Sequence, residues 1–363
     1  MVNVIFFVSN LDSGGLENYL LRFIKEKHHE FNNIYVWCKG GRGGQLEDKY
    51  RDVNNVEIVK LKLGYFDFLS YKKLGKFIQE KKIDAVCDFS GNFSGRVILT
   101  AKKRGVKKRI ASYRSASDRF EKSLSKELYN TWTKRLVWRN ATNIVANSYA
   151  GLRYFFGDAC AKDVRFSVIY NGLNSKEYIS EVGDLRSDLG IPSDAFVIGH
   201  VGRFNPAKNH VTIVAVANDL QKKYKDIYFL LCGNGVKKNL FSVLEEKGLA
   251  ERFLIFENRA DIPLFLNTMD CFFFPSITEG QPNALIEAMV TGVPFVASNI
   301  DPIRETVGDG YELYPPMDIN ALFNALEKKY LEKAGRSHEQ RDFMIRRFDY
   351  IDRFNEFLSL IKN

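Results

Sequence analysis

Short runs of β-branched and aromatic residues recur along the first half of the chain, at Val2–Ser9, Ile34–Cys38, Val56–Leu61, Ala85–Phe89, Arg109–Tyr113 and Asn143–Asn147. Runs of this length and composition predict buried strands. Between most of them apolar residues return at i, i+3 and i+4, as with Leu16, Tyr19, Leu20, Phe23 and Ile24, the spacing of one face of a helix. Strands that are apolar on both faces and separated by helices predict a parallel sheet, because only crossover helices can cover both of its faces.

The pattern restarts after Phe166–Gly172. Residues 173–195 are polar and contain Gly, Pro and Asp, as a linker does, and Phe196–Val201 then opens a second series. Its further strands are predicted at Tyr228–Cys232, Phe253–Glu257, Cys271–Pro275 and Phe295–Ser298. No short tandem repeat or low-complexity segment occurs. What repeats is the architecture, one α/β domain after another. The expected class is α/β, with two Rossmann-like parallel-sheet domains at 1–170 and 171–347 facing across a cleft. Ligands bind at the carboxyl ends of such strands.

Length agrees with this division, since 363 residues suit two cores of about 150–200 residues each. The apolar run Val4–Val8 is too short for a signal-peptide core, and no later stretch approaches the ~20 residues of a membrane span, so a cytoplasmic protein is expected. The five cysteines are widely spaced without a CxxC, and the five histidines lack metal-ligand spacing, so neither a disulfide framework nor a metal site is expected.

Charge changes the picture more. Residues 1–170 hold 31 Lys+Arg against 17 Asp+Glu, whereas the remainder holds 22 against 27. A net of +14 is thus joined to a net of −5. Two readings stay open: solvated helix faces, or an anionic partner such as a membrane surface or phosphorylated lipid. No aromatic-rich binding motif accompanies the charge, so no nucleic acid partner is expected. The basic clusters are Lys72, Lys73 and Lys76; Lys81 and Lys82; Lys102–Arg104; and Lys107–Arg109. The stretch 119–139 interleaves Lys and Arg with Phe120, Leu124, Leu128, Trp132, Leu136 and Trp138 at helical spacing. Such a helix either lies on an anionic membrane, on the inner face of the cell membrane for this chain, or packs its apolar side into the domain core.

Candidate chemistry gathers at the strand ends of the second series. The first βα turn, Ser9–Glu17, lacks GxGxxG, and neither half contains GxxxxGK[ST], which excludes the usual dinucleotide and P-loop devices. After the predicted strand ending near Ser276 comes Ile277-Thr-Glu-Gly-Gln-Pro-Asn-Ala-Leu-Ile-Glu-Ala-Met289. A glycine turn with Pro282 near a helix start would leave the backbone N–H groups of Gln281 to Ala284 free for an oxygen-rich ligand. Glu279 then sits in the loop and Glu287 within the helix, where one carboxylate could hold sugar hydroxyls and the other ribose hydroxyls. After Phe196–Val201, Arg203 and Lys208 stand in a loop where two cations can hold a diphosphate and neutralise its charge as it leaves. Gly233-Asn-Gly235 follows the next strand.

In order and spacing these pieces resemble the retaining family 4 (group 1) glycosyltransferases of the GT-B fold. The marks are Gly14-Gly15-Leu16-Glu17, Asn147-Ser148, Asn171-Gly172, Gly202-Arg203…Lys208, Cys232-Gly-Asn-Gly235, Glu279-Gly-Gln-Pro-Asn…Glu287-Ala-Met289, Gly292-Val-Pro294 and Arg304-Glu305. The resemblance implies retaining transfer of a hexosyl or N-acetylhexosaminyl unit from a UDP- or GDP-sugar, with no cofactor and no obligatory metal. The acceptor it implies is a glycan or lipid-linked saccharide of cell-surface polysaccharide assembly. It assigns Arg203 and Lys208 to the diphosphate, Glu279 and the amides of Gly280, Gln281 and Asn283 around Pro282 to the donor sugar, and Glu287 to the ribose. Asn258 and Arg259 would neighbour the base, and Gly233 and Asn171 line the substrate region. Gly14 and Gly15 would let the first domain's backbone approach the diphosphate. The last helix, within 348–363, would cross back onto the first domain through Tyr350, Ile351, Phe354, Phe357, Leu358 and Ile361. One departure is notable: where many relatives carry histidine, Ser112-Tyr-Arg-Ser115 places Arg114, either as a fixed charge near the donor or as an acceptor-binding residue. Two rivals are a nucleotide-sugar epimerase, disfavoured by the scarcity of histidine, and a non-catalytic nucleotide-sugar-binding subunit. A subunit of that kind need not keep Arg203, Lys208, Glu279 and Glu287 together.

Overall fold

The structure, a computed structural model, describes residues 1–65, 67–114, 124–179, 183–257 and 259–363. The chain forms two compact units, Met1–Asn171 with Ile351–Asn363, and Gly172–Tyr350.

The first unit holds seven parallel strands: β1 (Val2–Val8), β2 (Phe31–Cys38), β3 (Val56–Val59), β4 (Ala85–Asp88), β5 (Lys108–Tyr113), β6 (Asn143–Ala146) and β7 (Phe166–Val168). Their order is β3-β2-β1-β4-β5-β6-β7, so the winding reverses between β1 and β4. One face of the sheet, with Ile5, Phe7, Val86, Ala111 and Ile144, is covered by the helices Phe68–Glu80, Gly95–Lys103 and Leu124–Asn140. The last two approach so closely that a Cβ on Gly95 would lie 2.3 Å from the Thr133 carbonyl oxygen. The strand β2 begins at Phe31, ahead of the predicted Ile34. Asn32 and Asn33 break the apolar run in sequence, but both side-chain amides donate to Asn3 Oδ1 at 3.0 Å, which satisfies them within the sheet.

Within the described part of the basic stretch 119–139, one segment packs into the core and another is exposed. Val137 is buried, and the Trp138 ring lies 5.6 Å from Phe156 and 5.3 Å from Phe166, as core residues do. Leu128 and Trp132 stand in solvent. Phe120 and the rest of 115–123 lie outside the described residues.

The second unit holds β8 (Phe196–Val201), β9 (Ile227–Cys232), β10 (Phe253–Phe256), β11 (Cys271–Phe274) and β12 (Phe295–Ala297) in the order β10-β9-β8-β11-β12, again all parallel. Its winding reverses between β8 and β11. Residues 183–195 of the predicted linker are in fact packed onto this unit. Leu185 and Ile191 are buried, Arg186 donates to Asp270 at 2.6 Å, and the Leu185 amide donates to Thr268 Oγ1 at 2.8 Å. Polar side chains that bond inward give such a segment the composition of a linker without its freedom.

The chain passes from unit to unit twice at adjacent points. Leu173 N–H donates to Phe348 C=O at 2.8 Å, and a Cβ on Gly172 would lie 2.4 Å from Tyr350 Cα, so only glycine fits that crossing. The final helix, Tyr350–Lys362, puts Phe354, Phe357 and Ile361 into the core of the first unit. Phe357 lies 4.9 Å from Phe23, 6.0 Å from Phe89 and 6.4 Å from Phe6. Phe357→Ala should therefore destabilise the first unit by about 3–5 kcal/mol, the usual loss for a buried phenyl. Urea unfolding followed by circular dichroism measures it, and a loss below about 1 kcal/mol would mean that this helix does not complete that core.

Candidate active site

In an open parallel sheet the carboxyl ends of the two strands that flank the winding reversal form a natural crevice, because their following loops turn to opposite faces. In the second unit those strands are β8 and β11, and the loops that follow them carry the residues singled out by their chemistry. After β8 the chain runs through Gly202 and exposed Arg203 into a short 3-10 turn, Pro206–Lys208, capped by Asn205 Oδ1 accepting from Lys208 N–H at 3.1 Å. After β11 comes the loop to the helix Asn283–Val290. Lys208 Nζ reaches Glu279 Oε1 at 2.7 Å, with the two side chains only 17% and 11% exposed. It also lies 4.7 Å above the centre of the Phe274 ring at the end of β11.

An ammonium group has three protons to donate. Among the described residues, Lys208 gives one to Glu279, and the aromatic face accounts for part of its remaining charge. The first unit provides a contrast. Lys39, just after β2, donates to Asp88 Oδ2 at 3.0 Å, Ser90 Oγ at 2.7 Å and the Phe93 carbonyl at 3.1 Å, which uses all three. Asp88 is fully buried and also accepts from the Ser90 amide at 2.9 Å. Lys39–Asp88 is a closed structural pair, whereas Lys208–Glu279 keeps hydrogen-bonding capacity for a ligand.

Asn209 was not anticipated from the sequence, yet it joins the two loops. It adopts the left-handed conformation at φ 56°, and its Nδ2 donates to Pro275 C=O at 3.0 Å and Pro316 C=O at 2.8 Å. The Ile277 amide adds a bond to Ala207 C=O at 2.8 Å. An asparagine closing a short turn before a helix was the available signal, since its side chain tolerates that conformation and bonds locally.

Other expected residues divide. Glu287 is the fifth residue of its helix and half-buried. The expected run of free amides from Gln281 to Ala284 is interrupted in the middle: Pro282 has no N–H, and the Asn283 N–H donates to Gln281 C=O at 3.0 Å. Gly280 lies between Glu279 and the buried Gln281. Gly233 is required by packing, since a Cβ there would meet Gly202 C=O at 2.0 Å. The helix Val236–Glu246 that follows it is capped by Glu257, whose carboxylate accepts from the amides of Gly235 and Lys237. A negative side chain already occupies that terminus, so it does not attract a phosphate. Arg259 is held by Asp261 through bonds of 2.8 and 2.5 Å, and Asn258 lies outside the described residues.

In the first unit Gly14 and Gly15 open the helix Gly15–Lys27, and a Cβ at Gly15 would meet nothing within 4 Å, so the fold itself does not require that glycine. Arg114 follows β5. Its guanidinium lies 4.0 Å from the centre of the Tyr19 ring and 5.3 Å from that of Phe89, donates to Ser112 Oγ at 3.1 Å and to Asn171 Oδ1, and its buried Nη2 meets no acceptor among the described residues.

A family model for glycosyltransferase family 4 matches residues 13–177, and one for glycosyl transferases group 1 matches residues 182–346. The chain belongs to the family 4, group 1 glycosyltransferases. An Escherichia coli UDP-Gal:alpha-D-GlcNAc-diphosphoundecaprenol alpha-1,3-galactosyltransferase is 25% identical to it, over 95% of this chain and 93% of its own length. The Staphylococcus aureus capsular polysaccharide biosynthesis glycosyltransferase CapH is 25% identical over 83% of this chain and 82% of its own. Among solved structures, a glycosyltransferase from Rickettsia africae superposes with a TM-score of 0.81 at 18% identity, over 99% of this chain and 98% of that one. Anabaena HepE in complex with UDP gives 0.80 at 19% identity, over the whole of both chains. These structural likenesses establish the GT-B fold.

Two buried histidines lie beneath this glycosyltransferase's cation loop. The His200 and His210 rings are 5.1 Å apart, and His200 Nδ1 meets Phe273 C=O at 2.9 Å. Burial, then the charge of Lys208, pushes His210 down to about 4, partly offset by the Gly202 carbonyl. Burial, then His210, holds His200 well below the usual imidazole value. A depressed histidine is held neutral in the folded protein, so its contribution to stability is complete above the unfolded value near 6.5. That contribution is lost as the pH falls towards the folded value. Between pH 6.5 and 4 the protein should lose about 3 kcal/mol through His210. His210→Phe should reduce that slope; identical urea midpoints for the two proteins across this range would show that His210 is not held neutral.

Proposed function

We propose that this glycosyltransferase moves a hexosyl or N-acetylhexosaminyl unit from a UDP- or GDP-sugar to a glycan or lipid-linked saccharide, with retention at the anomeric carbon and without a metal. The observation that carries the reading is the Lys208–Glu279 pair, set across the winding reversal of the second sheet with donor capacity left on Lys208. Lys208 and Arg203 hold the diphosphate. As the bond from the sugar C1 to the diphosphate oxygen breaks, that oxygen takes the electron pair and its charge is met by the two cations. Glu279, with Gly280, Gln281 and Asn283 beside it, holds sugar hydroxyls, and Glu287 holds the ribose. For retention the acceptor hydroxyl adds to C1 on the face the diphosphate leaves, and its proton passes to the departing diphosphate oxygen. Arg114 supplies a further fixed charge on the first unit.

The relatives support the choice of substrates. The Escherichia coli enzyme's name gives UDP-galactose as donor and an undecaprenol-linked GlcNAc as acceptor, CapH serves capsular polysaccharide, and HepE is seen with UDP. A place in cell-surface polysaccharide assembly follows, on a lipid-linked or growing glycan. No helix among the described residues is long and apolar enough to cross a membrane, so reaching a lipid-linked acceptor would take contact with the bilayer surface.

Lys208→Ala should weaken UDP or GDP binding by roughly 1–3 kcal/mol, the loss of a charge-assisted hydrogen bond. Calorimetry on the folded variant measures it, and unchanged affinity would remove Lys208 from the diphosphate site. Donor hydrolysis across a panel of UDP- and GDP-sugars separates a transferase from a subunit that only binds.

Turnover should also survive EDTA, because two fixed cations take the place of a metal on the leaving group. Complete loss of activity, restored by manganese or magnesium, would contradict this.

A further inference from the structure

Two helices of the first unit share an unusual exposed face. On Phe68–Glu80 the outward residues Phe68, Leu69, Lys72, Lys73 and Lys76, with Gln79 and Glu80 after them, fall within an arc of about 140° at about 100° per residue, and Lys76 pairs with Glu80 at 3.3 Å. The opposite side, with Tyr71, Leu74 and Ile78, is buried. On Leu124–Asn140 the outward residues Leu128, Trp132, Arg135 and Arg139 form a stripe with the same sense. In both helices the large exposed apolar side chains lie in the first half and most of the exposed cations behind them, although Lys126 and Glu127 are exposed in the first turn of the second helix and Glu80 ends the first. Phe68, Leu69 and Leu128 are 75, 74 and 73% exposed, and Trp132 is 43% exposed. Tyr65, 53% exposed, joins the two helices: its ring lies 4.9 Å from Tyr129, which lies 5.7 Å from Trp132, and its carbonyl accepts from Arg96, whose guanidinium lies 5.0 Å from the centre of the Phe68 ring.

Helices that connect parallel strands run antiparallel to them. Phe68–Glu80 leads from β3 to β4 and Leu124–Asn140 from β5 to β6, so both apolar ends lie at the carboxyl edge of the sheet. The basic clusters at 81–82 and 102–109 sit at the opposite end, and part of each is already engaged, Lys81 with Glu57 at 3.4 Å. Arg109 Nε donates to Asn140 C=O at 2.8 Å, and Lys102 Nζ to Asn140 Oδ1 at 3.1 Å.

We infer that Tyr65, Phe68, Leu69, Leu128 and Trp132, backed by Lys72, Lys73, Arg135 and Arg139, form a docking surface for an anionic lipid bilayer. Apolar and aromatic side chains enter the boundary between headgroups and acyl chains while the cations one to two turns behind meet lipid phosphates. A protein partner would have to match both the apolar tip and the cations, whereas an anionic bilayer presents an apolar interior directly beneath negative charge. Docking by this edge would bring the strand ends of the first unit to the lipid surface. The purpose of the docking rests on a lipid-linked acceptor, but the binding itself does not.

Flotation tests it, with vesicles of phosphatidylcholine alone and of phosphatidylcholine mixed equally with phosphatidylglycerol, at low salt and at about 0.5 M salt. The bound fraction should rise with phosphatidylglycerol and fall with salt. Replacing Phe68, Leu69, Leu128 and Trp132 by Ser should lower binding to the mixed vesicles about tenfold. Reversing Lys72, Lys73, Arg135 and Arg139 to Glu should do the same, while reversing Lys102, Lys103, Lys107 and Lys108 to Glu, an equal change in net charge, should cost less than about twofold. Equal losses from the two reversals, an apolar variant that floats like the parent, or a parent that never floats would each overturn the surface. So would a parent dimer that the serine variant splits without any vesicle binding. Nucleotide affinity measured by calorimetry on the same proteins keeps the questions separate. Failed flotation with intact UDP binding sinks the docking surface alone, and lost UDP binding in the parent sinks the donor reading alone.

Discussion

Parallel strand pairing constrains almost everything else in this molecule. Two parallel neighbours can be joined only by a crossover, and the helix in that crossover must lie on a face of the sheet and run back along it. All carboxyl strand ends of a sheet therefore share one edge, and all the helix starts lie there too. A sequence that builds such sheets has already chosen the edge on which loops can carry chemistry. The reversal of winding then decides which two loops part to form a crevice: those after β8 and β11 in the second unit, and after β1 and β4 in the first. Glu279 lies seventy-one residues beyond Lys208, and only this topology brings them within 2.7 Å.

The buried charges show how similar chemistry serves two ends. Each unit holds a lysine–carboxylate pair at its carboxyl edge. In the first, Ser90 and the Phe93 carbonyl complete the shell of Lys39, so the charge is balanced and unavailable. In the second, Lys208 is backed by one carboxylate and one aromatic ring, and the histidines beneath it are kept neutral by burial. A cation so placed is stiff and incompletely solvated, which favours an anionic ligand over water. The same burial makes this loop sensitive to acid, since a proton on His210 would face Lys208 from below.

The basic first half also resolves into distinct parts once folded. Arg109 and Lys102 hold backbone and side-chain oxygens of Asn140 at one end of the sheet, whereas the exposed apolar residues of two helix faces stand at the other, with lysines and arginines along the helices behind them. Net charge gave no hint of that division. It comes from helical phase, which is readable in sequence, combined with which neighbouring helix covers which face, which is not.

Strand and helix periodicity were enough to foresee two parallel α/β units, because the side-chain pattern of a strand covered on both faces differs from that of a helix over any window of ten residues. The order of weak motifs was enough to point to the family, and Arg203, Lys208, Glu279 and Glu287 stood out because cations and carboxylates at strand ends are chemically conspicuous. What sequence could not supply were partners distant along the chain. Asn209 reads as an ordinary turn residue until its amide is seen joining two loops. Glu257 reads as the polar end of a strand until it caps a helix twenty residues earlier. The segment 173–195 has a linker's composition, yet Arg186 and Asp270 fasten down its later part across eighty-four residues. Local pattern fixes periodicity and residue chemistry, whereas which donor meets which acceptor depends on sheet order and on the packing of helices over it, and these are properties of the whole fold.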